Sequence, residues 1–312
     1  MKSVNSIVEP GSLEPPAGEI RFLFLPGRTL FAARAKRFRF LSSGHSLGDY
    51  LAFLADLAEA QQEALNRFSP PPLPGPREQA FCRGHGMPPL DALTLPRSPA
   101  WREALASILK QMNETKLPAT ARETAAGLML EGEAGVEELA DRVLAGDPAG
   151  IPPQKLPFIS AALQVYWVHM ASSLQEQSFN RQEKWGLCPV CGSHPVAGLV
   201  RSDGLRYLCC SLCASQWHMV RIKCSNCESV KGVDYYTLEG SNSSVKAESC
   251  AGCGAYLKLL YLEKENRMEA MADDLATIAL DMLMEREGRS RAGLNLFLHP
   301  GGSDAHSANS AK

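Results

Sequence analysis

Four C-x-x-C pairs within 66 residues constrain the fold of this 312-residue chain more than any other feature of its sequence. The pairs are Cys188/Cys191, Cys210/Cys213, Cys224/Cys227 and Cys250/Cys253. Two residues between cysteines let both sulfurs of a tight turn face one point, and two such turns supply the four thiolates that Zn²⁺ or mononuclear iron accepts. The repeated interval therefore predicts two metal sites.

The spacing between the pairs favours sequential pairing along the chain. Eighteen residues separate the first two pairs, twenty-two the last two, and ten the second pair from the third. The first spacing lies in the range of about 15 to 20 that is typical of zinc ribbons. We predict one site from Cys188, Cys191, Cys210 and Cys213 and another from Cys224, Cys227, Cys250 and Cys253, although spacing alone leaves an interleaved pairing open.

Four protein ligands leave no position for water or substrate, so each site is expected to be structural rather than hydrolytic. One hypothesis is that the metal holds together two modules too small to fold alone. The other is that iron occupies the sites and responds to redox state or oxygen. Sulfur ligands do not distinguish zinc from iron.

The rest of the chain predicts an α-helical bundle followed by small β metal modules. Apolar residues recur at helical spacing in the first half, and the composition changes abruptly at Cys188 to short β-like runs with cysteine and glycine turns. The predicted divisions are 1–27 (N-terminal arm), 28–183 (α-helical domain), 184–223 and 224–262 (first and second metal modules), 263–288 (C-terminal helix packing back on the bundle) and 289–312 (flexible tail).

Individual helix boundaries are predicted from local signals. Ser46-x-x-Asp49 and Thr120-x-x-Glu123 resemble helix starts, and nine prolines in residues 69–99 rule out a continuing helix and predict an ordered connector. The last bundle helix is predicted to run from Pro157 to Phe179. The C-terminal helix is predicted to bury one apolar seam, made of Met268, Met271, Leu275, Ile278 and Met282.

Cysteine placement and the N-terminal sequence predict a cytoplasmic protein. Nine of the ten cysteines fall between Cys188 and Cys253, and such clustering is typical of a metal module rather than of a secreted disulfide framework. The apolar run Ile20–Leu25 contains Arg21 and is too short for a signal sequence or a membrane span. We therefore expect reduced thiols and no membrane span.

Charge disfavours a nucleic-acid partner. The chain has 32 basic and 34 acidic residues, and residues 188–262 carry seven Lys or Arg and five acids. Two divalent ions, each bound by four thiolates, would change this local charge from +2 to about −2. Nucleic-acid-binding ribbons need surplus positive charge, so a protein partner fits better.

Several residues near the pairs are interpreted as structural. Cys209 falls outside the C-x-x-C register and is expected to be a packed thiol or a spare ligand. His194 and His218 flank the clusters and could hydrogen-bond to the metal ligands, but we expect them to be exposed loop residues. Asp273-Asp274 is interpreted as negative charge at a helix N-terminus. The sequence has no G-x-S-x-G, HExxH, P-loop or dinucleotide motif, so we expect neither an enzyme nor a small-molecule substrate.

Three runs give the chain a specific resemblance. The C-terminal half resembles the formate dehydrogenase accessory protein family, FdhE, through the runs CPVCGSHPVAG, LRYLCCSLCASQWHMVRIKCSNCES and KAESCAGCGAYLKLLY, followed by ADDLATIALDMLMEREG. The helical half resembles the family more loosely, through RAKRFRFLSSGHSLGDYLAFLADLAEAQ. The resemblance implies a cytoplasmic protein with a helical domain and two rubredoxin-like modules.

What the family does is also implied by this resemblance alone. Its members are needed to make active respiratory formate dehydrogenase, and they contact the molybdenum-containing catalytic subunit before its twin-arginine export. The resemblance further implies iron at two mononuclear sites formed by the eight paired cysteines, with zinc as the alternative. The rival hypotheses are an iron redox protein or electron carrier and, less favoured, a nucleic-acid-binding zinc ribbon.

Overall fold

The computed structural model describes residues 20–69, 71–115, 117–147, 150–175, 179, 186–238 and 244–299. The helices are α1 (Leu30–Ser42), α2 (Gly48–Arg67), α3 (Pro76–Gly84), α4 (Trp101–Asn113), α5 (Ala119–Leu130), α6 (Glu133–Leu144), α7 (Leu156–Ser172), α8 (Ala270–Ala276) and α9 (Ile278–Arg286). The strands are β1 (Leu23–Phe24), β2 (Pro195–Val200), β3 (Arg206–Cys210), β4 (Gln216–His218), β5 (Val233–Tyr236), β6 (Val245–Cys250), β7 (Ala255–Tyr261) and β8 (Ser290–Arg291).

Helix α7 is the centre of the helical region. Its sequence, LPFISAALQVYWVHMAS, contains no Asp, Glu, Lys or Arg, and every residue from Leu156 to Ala171 is buried. A helix that is apolar on all sides must be surrounded by other elements. Helices α2, α4 and α6 pack around it. The helix ends at Ser172, so the prediction that it continues to Phe179 was wrong.

Two local predictions in the helical region need correction. Helix α2 begins after Leu47 and α5 after Pro118, and neither N-cap residue makes a side-chain cap hydrogen bond. The proposed start signals at 46–49 and 120–123 are therefore not used as capping boxes. The proline-rich connector contains the short helix α3, because Pro76 occupies its first turn, where the missing N–H costs nothing.

One sheet unites the two predicted metal modules. Its strand order is β1-β4-β3-β2-β7-β6-β5, with β8 paired to β7. Strands β2–β4 belong to the first module and β5–β7 to the second, and the parallel pair β2·β7 joins them, with Gly198 opposite Leu259. This is the predicted architecture of a helical region with two small β modules, but the modules form a continuous sheet.

The C-terminal helix is divided at Thr277. The Thr277 hydroxyl donates to the carbonyl of Asp273 at 2.8 Å, and the Lys258 ammonium donates to the carbonyl of Asp274, which interrupts the helical hydrogen bonds. Helix α8 packs on α1, whereas α9 buries Leu280 and Met284 on the sheet. The predicted single seam was wrong in its second half: Met282 is 54% exposed.

Asp273 and Asp274, near the start of α8, are buried ion-pair partners. The Arg37 guanidinium donates to both oxygens of Asp273, at 2.6 to 3.1 Å. Asp274 lies 3.0 Å from Lys258 and 2.7 Å from Arg291. These pairs tie α1 and β7 to the C-terminal segment. Asp273 also lies in the first turn of α8, as the helix-start interpretation predicted, and accepts from the N–H of Glu269 at 2.7 Å.

Both ends of the described chain contribute to the sheet. Strand β1, from the predicted arm, pairs with β4, so Leu23 lies opposite Trp217. Strand β8, from the predicted tail, pairs with β7, and Phe297 beyond it is 2% exposed. Residues 20–27 and 289–299 are thus packed. Residues 1–19 and 300–312, and the predicted boundary at 183–184, lie outside the described residues.

Candidate metal centres

The first cluster forms where the loop before β2 meets the turn after β3. Its four sulfurs belong to Cys188, Cys191, Cys210 and Cys213 and lie within 4.8 Å of one another. The sulfur of Cys188 is 3.5 Å from that of Cys213, and the sulfur of Cys191 is 3.4 Å from that of Cys210. All four cysteines are at most 2% exposed.

The second cluster forms in the same way from the loop before β5 and the turn after β6. Cys224, Cys227, Cys250 and Cys253 bring their sulfurs within 4.8 Å of one another. The closest sulfur–sulfur distances are 3.7 Å for Cys224 and Cys253 and 3.6 Å for Cys227 and Cys250. Cys227 is exposed and Cys253 is half-buried.

These distances fit a metal and exclude disulfides. A disulfide bond is about 2.05 Å long, and none of the ten cysteines, all in the described part of the chain, is bonded to another. Metal–sulfur bonds of about 2.3 Å in a tetrahedron separate the sulfurs by about 3.8 Å. The structure thus groups the eight predicted cysteines into the two sequential sets, and ligation of a metal by them remains a prediction.

All four C-x-x-C loops share one backbone turn. The residue after the second cysteine has a positive φ in every case: Gly192 (+74°), Ala214 (+57°), Glu228 (+62°) and Gly254 (+71°). This left-handed residue lets the N–H of Gly192, for example, donate to the carbonyl of Cys188 at 2.9 Å. Only two of the four loops use glycine, so the other two accept strain at this position.

Hydrogen-bond donors surround the sulfurs of the first cluster. The N–H groups of Val190 and Leu212 donate to Cys188 and Cys210, both at 3.4 Å. The thiols of Cys191 and Cys213 donate to the hydroxyls of Ser193 and Ser215, at 3.5 and 3.2 Å, and each hydroxyl can donate in return once its thiol has lost the proton. Such donors stabilise thiolates and therefore favour metal binding.

The first cluster is hydrogen-bonded to the helical region through both of its loops. Leu90 and Ala92 donate their N–H groups to the carbonyls of Val190 and Cys191, both at 2.9 Å. Gln164, in the middle of α7, donates to the carbonyl of Ser211 at 2.8 Å. The Gln164 amide oxygen also accepts from Arg34 at 2.9 Å. The loops that hold the sulfurs therefore form part of the core of the molecule.

A buried ion pair joins the two modules. Arg206 on β3 and Glu248 on β6 are in direct contact, with side chains 0% and 4% exposed. Arg206 also donates to the carbonyls of Val220 and Lys223, at 2.6 and 2.7 Å, in the segment between the modules. Tyr235 donates to the other oxygen of Glu248 at 3.0 Å. Arg206 therefore fixes the linker and the second module to the first.

Within each cluster the thiols differ in pKa. Burial raises the pKa of Cys188 and Cys210, whereas at Cys191 the hydrogen bonds from the other cysteines outweigh burial and lower the pKa. In the second cluster, burial raises the pKa of Cys224 to about 12. Burial also opposes ionisation of Cys253, but hydrogen bonds from Ala255 and Asn226 lower its pKa to about 7. A cation is needed before all four thiols of either set ionise together.

Other candidate residues lie outside the clusters. Cys209 is a buried packed thiol near Arg34 and Glu269, and burial raises its pKa. His194 is exposed, as expected, whereas His218 is buried against the ring of Tyr207, with centroids 5.6 Å apart. Sequence reasoning missed the joining roles of Gln164 and Arg206. The sequence signal for Gln164 was an amide side chain within an uncharged helix. No sequence signal indicated the role of Arg206.

The comparisons with known proteins agree over nearly the whole described chain. Sequence models of FdhE match residues 20–184 (FdhE, N-terminal), 187–221 (FdhE, central domain) and 222–298 (FdhE, C-terminal domain). The chain belongs to the FdhE family. It is 44% identical to the "Protein FdhE homolog" of Edwardsiella ictaluri over 292 residues, which are 91% of this chain and 93% of that protein. It is 41% identical to that of Stutzerimonas stutzeri over 305 residues, 95% and 98% of the two chains.

A solved structure of an FdhE protein has the same fold. The crystal structure of the FdhE protein from Pseudomonas aeruginosa superposes with a TM-score of 0.83 at 41% identity, covering 90% of this chain and 100% of that one. The resemblance inferred from the cysteine-rich runs is thus confirmed. Within the described residues of the present chain, no helix combines the length and apolarity required to cross a bilayer.

Proposed function

We propose that this FdhE protein is a non-enzymatic, cytoplasmic maturation factor for respiratory formate dehydrogenase, and that it binds the catalytic subunit through a metal-stabilised platform. The observation that carries the proposal is the match to all three FdhE models, since membership of this family supports a role in the formation of formate dehydrogenase. Both four-cysteine sets are present in the same chain.

The geometry supports binding rather than catalysis. Four sulfurs around each position complete a tetrahedral ligand set, which leaves no place for a reacting water or substrate. We propose that Cys188, Cys191, Cys210 and Cys213 hold one metal and Cys224, Cys227, Cys250 and Cys253 the other. Iron is the proposed metal and zinc the alternative.

When bound, the metal supplies four bonds that cross-link two loops. The rest of the work falls to the chain: Gln164 and residues 90–92 hold the first pair of loops against the helices, and Arg206 holds the linker. The result is a rigid surface of helix and sheet that a client protein can recognise. Loss of metal should loosen that surface, because thiolate coordination contributes folding free energy of about 10 kcal/mol per site.

Deletion and complementation test this function. A strain that lacks the gene should lose respiratory formate dehydrogenase activity, and the wild-type gene should restore it. The Cys224→Ser/Cys227→Ser variant should fail to restore it and should recover less catalytic subunit in pull-downs than Cys209→Ser, a matched cysteine outside the clusters. Full activity in the deletion strain would reject the maturation role, and unchanged client recovery by the double variant would reject the dependence on metal.

An electron carrier is the second candidate function. The exposure of Cys227 favours it, because an iron site open at one sulfur can exchange electrons with a partner. This function requires a reversible Fe(III)/Fe(II) couple in the anaerobically purified protein. Protein that contains only zinc after expression in iron-replete medium would count against it.

A further inference from the structure

The segment that connects the two metal modules displays its apolar side chains to solvent. In residues 219–223, Val220 is 58% exposed and Ile222 is 62% exposed, whereas the charged Arg221 and Lys223 between and after them are half-buried. Surface segments normally expose charge and bury aliphatic groups. The reversed pattern indicates that these two side chains are displayed for contact.

The backbone at Ile222 is held in a conformation that a β-branched residue avoids. Its φ is +66°, in the left-handed region, which is strained for such a residue. Buried Arg206 fixes both sides of it by binding the carbonyls of Val220 and Lys223. Glycine would adopt this turn without strain, so folding does not account for an exposed isoleucine here.

The second metal loop extends the same surface. The N–H of Cys224 donates to the carbonyl of Ser229 at 2.8 Å, which closes the loop and brings Val230 beside the linker. Val230 is 65% exposed, and Cys227 within the loop is also exposed. Val230 therefore follows directly on a residue that is hydrogen-bonded to the end of the linker; we group the three exposed aliphatic residues Val220, Ile222 and Val230 as the linker face.

Positive charge lies next to the linker face. The ammonium groups of Lys246 and Lys264 lie 5.1 and 5.9 Å from the centre of the Tyr261 ring, and Arg221 is hydrogen-bonded to the same tyrosine. The carboxylate of Glu263 is also near and acts to raise the pKa of Lys246. After burial, the repulsion from Lys264 and Arg221 contributes to lowering the pKa of Lys246. Three cations held close together favour an acidic partner.

We propose that the linker face and the cations around Tyr261 form a docking site for a protein segment that carries aliphatic side chains beside carboxylates. The inference rests on the proposed maturation role, which makes the catalytic subunit of formate dehydrogenase the source of that segment. A nucleic acid is disfavoured, because single-stranded binding uses exposed aromatic rings and Tyr261 is only 7% exposed.

The test measures binding of the purified full-length catalytic subunit to the metal-loaded full-length protein. Ile222→Gly should lower the affinity at least fivefold, as expected for a contact residue, while the unfolding midpoint stays constant or rises because the strain is relieved. Ile222→Asn is the second variant, since asparagine tolerates the left-handed region. Leu130→Ser is the matched control, because Leu130 is 88% exposed on α5 in the helical region. It should bind like the wild type.

Charge reversal tests the second half of the site. Lys246→Glu/Lys264→Glu should slow association and reduce its dependence on salt. If the wild type binds and all of these variants bind equally well, the docking site is wrong and the maturation role stands. If the wild type does not bind at all, the proposed function fails first. Salt-sensitive binding of a 30-nucleotide single-stranded RNA that is lost in the charge-reversed variant but kept in Ile222→Gly would overturn the protein-docking assignment.

Discussion

The two cysteine clusters have the same ligands and the same loop geometry but different surroundings. The first is enclosed: its sulfurs are at most 2% exposed, and its loops are hydrogen-bonded to residues 90–92 and to Gln164 of α7. The second lies near the surface, with Cys227 exposed and Cys253 half-buried. Hydroxyls of Ser193 and Ser215 approach the first set of sulfurs, whereas the corresponding Ser229 bonds to Lys231 and Ala255 has no hydroxyl.

This difference predicts that the same motif serves two purposes within one sheet. The first cluster is joined to the core, so its metal would stabilise the body of the molecule. The second cluster lies beside the exposed linker face, so its metal would shape a surface. Ligand set alone would not separate these purposes; the separation comes from what packs around each loop.

The largest expected contrast is between serine substitutions in the two clusters. Cys188→Ser/Cys191→Ser should unfold most of the chain, since a structural metal contributes about 10 kcal/mol and a domain has only about 5–15 kcal/mol of stability. Cys227→Ser/Cys253→Ser should leave the helical region and the first module folded with one metal per chain. Circular dichroism melts and metal analysis measure both outcomes. Equal loss of helix in the two variants would contradict the comparison.

The buried ion pair between the modules provides the next largest effect. Arg206→Met should lower the free energy of unfolding by about 3–5 kcal/mol, because it leaves Glu248 buried without its cation. The double variant Arg206→Met/Glu248→Leu should recover most of that loss. Lys223→Met, which breaks a half-exposed pair with Glu228, is the control and should cost under about 1 kcal/mol. Urea unfolding measures all three, and a double variant no more stable than Arg206→Met would refute a pairing role.

Local sequence signals predicted the fold class and the grouping of the cysteines. The constant C-x-x-C interval and the distances between pairs are properties of short segments, and they indicated both sequential sets. Helix α4 begins at Trp101, where the apolar pattern resumes, because its buried residues follow helical spacing. These features need no knowledge of distant residues.

Features that depend on distant partners were missed or wrong. Asp273 is buried because Arg37 pairs with it across 236 residues of sequence, and nothing nearby indicates this. No local pattern marks strand β6, because its Lys246 and Glu248 look solvent-facing until Arg206 and Tyr261 are placed beside them. The prediction that Met282 is buried in the seam was wrong for the same reason, because Lys258 on β7 binds the carbonyl of Asp274 and helps to divide the helix.

The two clusters should release their metals to a chelator at different rates. With a colorimetric chelator in excess, the metal at the second cluster should leave at least about tenfold faster, because the chelator can approach through exposed Cys227 and half-buried Cys253, whereas the first set must wait for the core to loosen. Two phases of equal amplitude are expected. The variant Cys227→Ser/Cys253→Ser should retain only the slow phase. A single phase from the wild type would show that burial does not distinguish the sites.

The smallest expected effects come from adding one methyl group to the metal loops. Gly254→Ala should cost about 1 kcal/mol from backbone strain alone, because its φ is +71° and nothing lies within 4 Å of the added carbon. Gly192→Ala should cost more, since the same strain is joined by a contact of 3.0 Å with the Asp91 carboxylate.

Gly252→Ala is the matched control: its φ is outside the left-handed region and its nearest contact, with the Cys250 sulfur, is an ordinary 3.6 Å. Urea unfolding of the metal-loaded variants should show a larger loss of unfolding free energy for Gly192→Ala than for Gly254→Ala, because the loop of Gly192 is packed against residues 90–92. The unfolding free energy of Gly252→Ala should be close to that of the wild type. Equal costs at Gly192 and Gly254 would mean that this packing adds nothing to the stability of the loop.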